Sequence, residues 1–385
     1  MTNKKIAVDS TVLLRDTEGV ADSRILSGFR SMIEAEAVTR ARKAGYEIAE
    51  NYCHAGEFGI DIIGETAQKI ANRPDGGYLP EGVEGVISSE FTALISLDTN
   101  GFPRRAAASA GLVNMKPTYG TVSRYGTVPV ASSSDTVTVT ARTVEECREL
   151  LIAMSGYDEK DPTTVTDALC PLKNGAPHKP IRRVGVPQEL IRSASAEIQK
   201  EYGALMTDMS KSGVEIVEIP NDKRDIFATA HAVWNTVLCS EAWGNVSRYD
   251  GVRYGRRADG YEDLADLYTK SRSEGFGALM KSVILYGSYA LSPDSDGRFF
   301  KANELRKTLN QDVTELFKTI DAILIPACSV PFYTEENVKT ERFTAFNENF
   351  YTALPSLLGL PTLTLRGIQI IGAPFSDSSL LSRFL

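Results

Sequence analysis

Residues 195–220 read SAEIQKEYGALMTDMSKSGVEIVEIP. Positions 195–212 carry the pattern of a helix, Gly213 breaks it, and VEIVEIP follows as a strand. The same step recurs at 314–327, where TELFKTI precedes DAILIPA, and at 31–50, SMIEAEAVTRARKAGYEIAE. In the last of these Ile33, Ala37, Val38 and Ala41 recur at helical spacing and Gly45 supplies the stop. Residues 143–155, TVEECRELLIAMS, predict another helix: Thr143 with Glu146 is a capping-box pair, and Gly156 ends it. IRRVGVP at 181–187 reads as a strand. Ala322–Ile325 and Ile368–Ile371 are apolar runs bounded by Gly and Pro, as in buried strands of a covered sheet. Helices alternating with such strands predict an α/β fold with helices on both faces. The Asp-, Thr- and Pro-rich stretch 156–180 is a candidate linker, read here as a surface excursion within one domain. No internal repeat or low-complexity tract interrupts the pattern.

The chain has 385 residues, enough for one large domain or two to three small ones. Its 42 basic and 50 acidic side chains leave a net charge of −8. That balance argues against nucleic acid held by bulk charge, because phosphate contacts need a basic surface. Cys53, Cys147, Cys170, Cys239 and Cys328 are odd in number and show no Cys-x-x-Cys spacing, the pattern of free thiols in a reducing cytosol. His54, His178 and His231 fit no metal-ligand spacing, so neither a metal nor another cofactor is expected. No Walker-type phosphate loop is present. No signal sequence and no run of roughly 18 apolar residues appears, which predicts a cytoplasmic chain that does not enter a membrane.

Residues 111–140 read GLVNMKPTYGTVSRYGTVPVASSSDTVTVT. MKPTYG followed by VSRYG closely resembles the amidase-signature family and, within it, the A subunits of the aspartyl/glutamyl-tRNA amidotransferases. SRYDGVRYGRR at 247–257, RSEGFG at 272–277, GSYAL at 287–291 and the stretch from GLP to IQIIGAPF at 359–375 resemble further segments of those proteins. The resemblance runs from about residue 8 to 380. It implies one α/β/α domain over residues 1–385, built on a large mixed sheet and shorter at both ends than those relatives.

The resemblance also implies chemistry. The family hydrolyses amides with a Ser–Ser–Lys triad, and consecutive backbone N–H groups beside the nucleophile hold the oxyanion. The nucleophile ends the run D-T-G-G-S; here the run is Asp98-Thr99-Asn100-Gly101-Phe102, which puts Phe102 in the nucleophile's place. The bridging serine begins S-S-G-G about 24 residues earlier, and an ungapped count puts Tyr78 there. The lysine lies in an apolar strand, and IAVDSTVLL aligns Asp9 with it. Asp98, Thr99, Gly101 and Lys116-Pro117 keep the family pattern. Of the glutamine-recognition positions, the arginine falls at Val283, the aspartate at Asn349 and a pocket tyrosine at Trp234. Ser88-Ser89 and Ser132-Ser133-Ser134 read as capping or turn serines, His231 as a packed or surface histidine, and Arg253, Arg256 and Arg257 as a solvated loop.

A retained fold with a dismantled triad predicts an inactive amidase-like protein that serves as a scaffold, a regulatory subunit or a binder. Two alternatives stand beside it. One is an active glutamine-hydrolysing amidotransferase component that supplies ammonia. The other is different chemistry on the remodelled site, with Asp9, Tyr78 and Asp98 as acid–base groups. A protein partner, either a subunit-B-like protein or a second copy, is expected, without direct contact to nucleic acid.

Overall fold

The computed structural model describes residues 4–60, 71–72, 78–174, 178–219, 225–331 and 344–384, with backbone alone at 71, 72, 78, 344 and 345. The strands are β1 (Lys5–Val8), β2 (Glu47–Ile48), β3 (Ala71–Asn72), β4 (Tyr78–Leu79), β5 (Ala93–Asp98) and β6 (Val113–Lys116). Then come β7 (Thr136–Ala141), β8 (Arg183–Val186), β9 (Glu215–Glu218), β10 (Ala322–Pro326), β11 (Thr362–Leu365) and β12 (Ile368–Gly372). Ten of them form one mixed sheet in the order β2-β1-β5-β7-β6-β11-β12-β10-β8-β9, while β3 and β4 pair with each other.

The helices are α1 (Glu36–Lys43), α2 (Glu81–Ile87), α3 (Phe102–Ala110), α4 (Val144–Met154), α5 (Gln188–Arg192) and α6 (Ala196–Lys211). They are followed by α7 (Ile226–Val246), α8 (Leu264–Gly275), α9 (Ala278–Leu291) and α10 (Arg298–Leu316), then by helices at Thr344–Asn347, Asn349–Leu357 and Asp377–Arg383. The alternation along each strand sorts its side chains between two faces. Ile6, Val8, Ala322 and Leu324 pack with α1, α4 and α6 on one side. Ile323, Ile325 and Ile371 meet α7, α9 and α10 on the other, where Ala7 and Leu94 meet α2 and α3. The expected α/β fold with helices on both faces is what the chain forms.

Local readings hold as well. The Glu146 amide donates to Thr143 Oγ1 at 3.2 Å, and the Thr143 amide returns to Glu146 Oε2 at 3.1 Å, closing the capping box. Within the stretch 156–180, residues 158 and 161 are tied to the turn before it. Asp158 accepts from Ser123 Oγ at 2.6 Å and Asp161 from the Arg124 amide at 2.7 Å, so buried carboxylates stitch it to the preceding turn. The helix read at TELFKTI is only the end of α10, which stops at Leu316.

Two features place the site. β5 is buried along all six residues, pairs parallel with β1 and antiparallel with β7, and ends at Asp98. A four-residue step then starts α3 at Phe102. Gly101 makes that step possible: its φ is 81°, and a Cβ there would lie 2.3 Å from Thr352 Cβ. The β1 end lies alongside, with the Asp9 amide donating to Ile95 O at 3.0 Å. Asp9 and the start of α3 therefore meet at one corner of the sheet.

Candidate functional site

Phe102 is 7% exposed and faces a cavity of about 10 Å³ shared with Asp9, Cys53, His54, Ser96 and Thr140. Residues 9 and 102, far apart in sequence, line the same cavity. A space of that volume holds about one water molecule. It has no room for an amino-acid amide. Tyr78 pairs through its backbone with Asn72 in the β3–β4 hairpin; its side chain is outside the described residues, so its place at the site stays an expectation.

The polar groups around Phe102 are tied to the protein itself. Gly101 N–H donates to Asp98 Oδ1 at 3.0 Å, and Phe102 N–H donates to Asn100 Oδ1 at 3.0 Å. Asn100 in turn anchors its amide on Ile60 O at 3.1 Å. Thr99 Oγ1 donates to Asp135 at 2.7 Å.

Asp98 is not an acid–base group. Arg104 reaches it twice, Nε to Oδ2 at 2.8 Å and Nη2 to Oδ1 at 3.1 Å, with both side chains fully buried. Burial pushes the Asp98 carboxyl up, but the charge and hydrogen bonds of Arg104 outweigh it and hold the group below the usual carboxylate range. This removes Asp98 from the acid–base set considered above. Arg104 is further held by Gln369 and Ser356, each at 2.6 Å.

Asp9 behaves oppositely. Burial raises its carboxyl to about 6, against the opposing hydrogen bonds of Thr11 and Ser96, while the charge of Asp22 adds to the rise. A carboxyl that ionises near neutrality can hold or move a proton, yet it cannot supply the neutral amine of a Ser–Ser–Lys relay. Cys53, on the same cavity, is pushed up to about 12, first by burial and then by the charges of Glu81 and Asp9, which leaves it a thiol.

Sequence reading missed one pair here. Asp22 accepts from His54 Nδ1 at 2.7 Å, from Ser10 Oγ at 2.8 Å and from the Ala55 amide at 2.6 Å. Its backbone has φ 48° and that of Ala21 55°, so two adjacent non-glycine residues take the left-handed conformation. Residues 32 apart in sequence carry no local spacing that could have announced the pair.

The glutamine-recognition positions do not gather at this cavity. Trp234 and Val283 are buried in the helical layer of α7 and α9 and do not line it. The Trp234 indole N–H finds no acceptor among the described residues. Asn349 Oδ1 accepts from Arg105 Nη1 at 3.1 Å, and that guanidinium also donates to Asn100 O at 2.9 Å and Thr352 Oγ1 at 3.0 Å. A buried cation of the chain thus already holds Asn349. Lys116 is buried with Nζ 3.0 Å from Leu360 O, and burial, then the nearby Arg104, lower it to about 7.

The remaining candidates sit elsewhere. Ser88 and Ser89 close α2 at the surface. Ser133 is bonded to Arg306 and Glu241 in its turn. His231 donates or accepts at Phe346 O and packs edge-on against Phe350. Arg256 pairs with Glu274, and Arg257 lies over the Tyr261 ring. Among the described residues no group of three or more His, Cys, Asp or Glu is arranged to hold a metal, and no helix is long and apolar enough to cross a membrane.

The family model described as Amidase matches residues 92–381, about three quarters of the chain. This chain belongs to the amidase family. It is similar to the A subunit of the glutamyl-tRNA(Gln) amidotransferase of Cupriavidus taiwanensis, 30% identical over 99% of this chain and 82% of that one. To the corresponding A subunit of Marinobacter nauticus it is 34% identical, over 80% of this chain and 66% of that one. The fold matches the solved structure of the glutamyl-tRNA(Gln) amidotransferase A subunit from Thermotoga maritima with a TM-score of 0.76 at 23% identity, over 99% of this chain and 81% of that one. A Kluyveromyces lactis allophanate hydrolase shares it with a TM-score of 0.78 at 19% identity, over 99% of this chain and 60% of that one.

Proposed function

We propose that this amidase-family chain has lost amide hydrolysis and acts as a scaffold, regulatory subunit or binder. The observation that carries the reading is the Phe102 side chain on a cavity of about 10 Å³, at the position to which the resemblance of Asp98-Thr99-Asn100-Gly101-Phe102 to D-T-G-G-S assigns the nucleophile. A phenyl ring has no atom to attack a carbonyl or share a proton. Asp9 in the lysine's place cannot complete a relay, because its neutral form is an acid. The similarity to amidotransferase A subunits supports a protein partner of the subunit-B kind, with a second copy of the chain as the other candidate, and supports a cytoplasmic setting.

The names of those relatives favour a second reading, an active component that hydrolyses glutamine to supply ammonia. Ser96 is the hydroxyl nearest to serving it, since it lines the cavity and bonds to Asp9. Ammonia release from glutamine, asparagine and simple amides separates the two. None should appear above the uncatalysed rate; turnover by the purified chain would favour the second reading.

A further inference from the structure

The two faces of α9 meet different surroundings. Met280, Val283, Gly287 and Ala290 are buried. Gly287 brings the helix so close to α7 that a Cβ there would lie 2.0 Å from Cys239 O. On the opposite face Ala278, Lys281, Ser282, Leu285 and Tyr289 are all exposed. Their spacing of three and four aligns them in one ridge. Leu285 is 69% exposed and Tyr289 44%. Ser282 and Ser288 donate their hydroxyls to the helix's own carbonyls, Ala278 O at 3.1 Å and Leu285 O at 3.0 Å. The ridge therefore offers a neighbour a leucine, an aromatic ring and small side chains on a firmly seated helix.

Opposite charges stand at its two ends. Lys281 lies one turn before Leu285, and Asp294 follows the helix in the turn Pro293–Ser295. Both are exposed, and neither side chain has an ion-pair or hydrogen-bond partner among the described residues. Asp296, close by, is already paired with Lys301 at 2.5 Å. A two-fold contact completes such an arrangement, because residue i then meets j and j meets i. With α9 laid antiparallel on its own copy and the axis level with Gly287, Leu285 faces Tyr289 and Lys281 comes within reach of Asp294, each twice. The two Lys281 residues are then about 18 Å apart along the helices, beyond a Debye length of about 10 Å. A partner surface of one sign would leave either Lys281 or Asp294 unmatched. Copies of a chain with a net charge of −8 repel one another in general, and at this ridge the charges match instead.

We propose that two copies of this chain associate through α9, with Leu285 against Tyr289 and Lys281 against Asp294 across a two-fold axis. No α9 residue lines the Asp9–Phe102 cavity, so the contact stands whether or not amide hydrolysis is lost. One helix face buries less than the roughly 1,200 Å² at which standard interfaces begin, which makes the dimer a weak one.

Sedimentation velocity of the full chain, from about 1 to about 300 µM, reads the association directly. The weight-average mass should climb toward that of two chains, with a dissociation constant of about 10–100 µM. Leu285→Lys, a change at the surface, should hold the chain monomeric over that range and leave its melting temperature unchanged. Lys281→Asp turns two attractions into two repulsions and should weaken the dimer by about tenfold. Combining it with Asp294→Lys should recover the parent's association, since the pairs are then re-formed with their signs exchanged. A parent that stays monomeric throughout, a dimer indifferent to Leu285→Lys, or a double variant no better than Lys281→Asp would each overturn the proposal.

Discussion

The backbone amide of Phe102 donates to the Asn100 side chain, whose Oδ1 lies 3.0 Å from the nitrogen. One residue earlier, Gly101 N–H is spent on Asp98 Oδ1 at the same distance. Consecutive amides at the head of a helix are the groups that hold a developing oxyanion in acyl transfer. Here both have acceptors within the chain. The ring of Phe102 and the side chain of Asn100 thus close the same corner from two directions.

Restoring the hydroxyl alone should therefore not restore activity. Phe102→Ser would give a serine with no lysine relay and with its own amide still bonded to Asn100. Triad members act as a unit, and losing the nucleophile or its base alone costs about 10⁶ in turnover in a serine hydrolase. A fluorophosphonate probe should leave the variant unlabelled; labelling of the introduced serine, with none in the parent, would refute this.

Asp9 predicts a pH dependence. Its carboxyl sits at about 6 in the fold, above the ordinary 3.8, because burial disfavours the charge. A carboxyl raised in this way favours the fold while it is protonated and opposes it once it must ionise. Stability should therefore fall as pH rises from about 4 to about 6 and be flat above. Asp9→Asn should remove that slope and be more stable than the parent at pH 7.5, by up to about 3 kcal/mol, with the difference shrinking toward pH 4. Urea unfolding of both proteins across that range measures it. A difference independent of pH would show that the carboxyl is not perturbed.

The Asp98–Arg104 pair should be costly to break from one side. Arg104→Met leaves the Asp98 carboxylate buried without its partner, and about 3–5 kcal/mol of stability should go. A shift in the urea midpoint worth less than about 1 kcal/mol would mean that the pair is solvated.

Glutamine should not bind. Asn349 is already occupied by Arg105, and the cavity beside Phe102 is filled. Thermal-shift titration to millimolar glutamine or asparagine should leave the midpoint unchanged, since bound ligand raises it by mass action. A clear concentration-dependent rise would show an open site.

Much of the fold was legible in the residues. The helix–strand step at 195–220 became α6 and β9, and the Thr143–Glu146 box capped α4 as read. The segment from 226 to 316 was not legible. α7 is apolar nearly all round, since α9, α10 and the Asn349–Leu357 helix pack on it and its exposed positions include Ala228, Ala232 and Gly244, so it carries little amphipathic period to find. At the site, Phe102 could be assigned to the nucleophile's place because Asp98, Thr99 and Gly101 keep a family pattern, whereas Asp9 was assigned only by aligning the apolar stretch IAVDSTVLL. Asn100 capping the Phe102 amide, Arg105 holding Asn349 and the Asp22–His54 pair could not be read this way, since each depends on which side chains the tertiary fold turns toward one another.

On the function proposed above, Phe102 ends amide hydrolysis in this chain. Ammonia release from glutamine, measured side by side for the parent and Ser96→Ala at high enzyme concentration, tests it most directly. Both proteins should give only the buffer's background rate. Sustained release by the parent that disappears in Ser96→Ala would contradict the claim, because a serine on the Phe102 cavity would then be carrying the reaction.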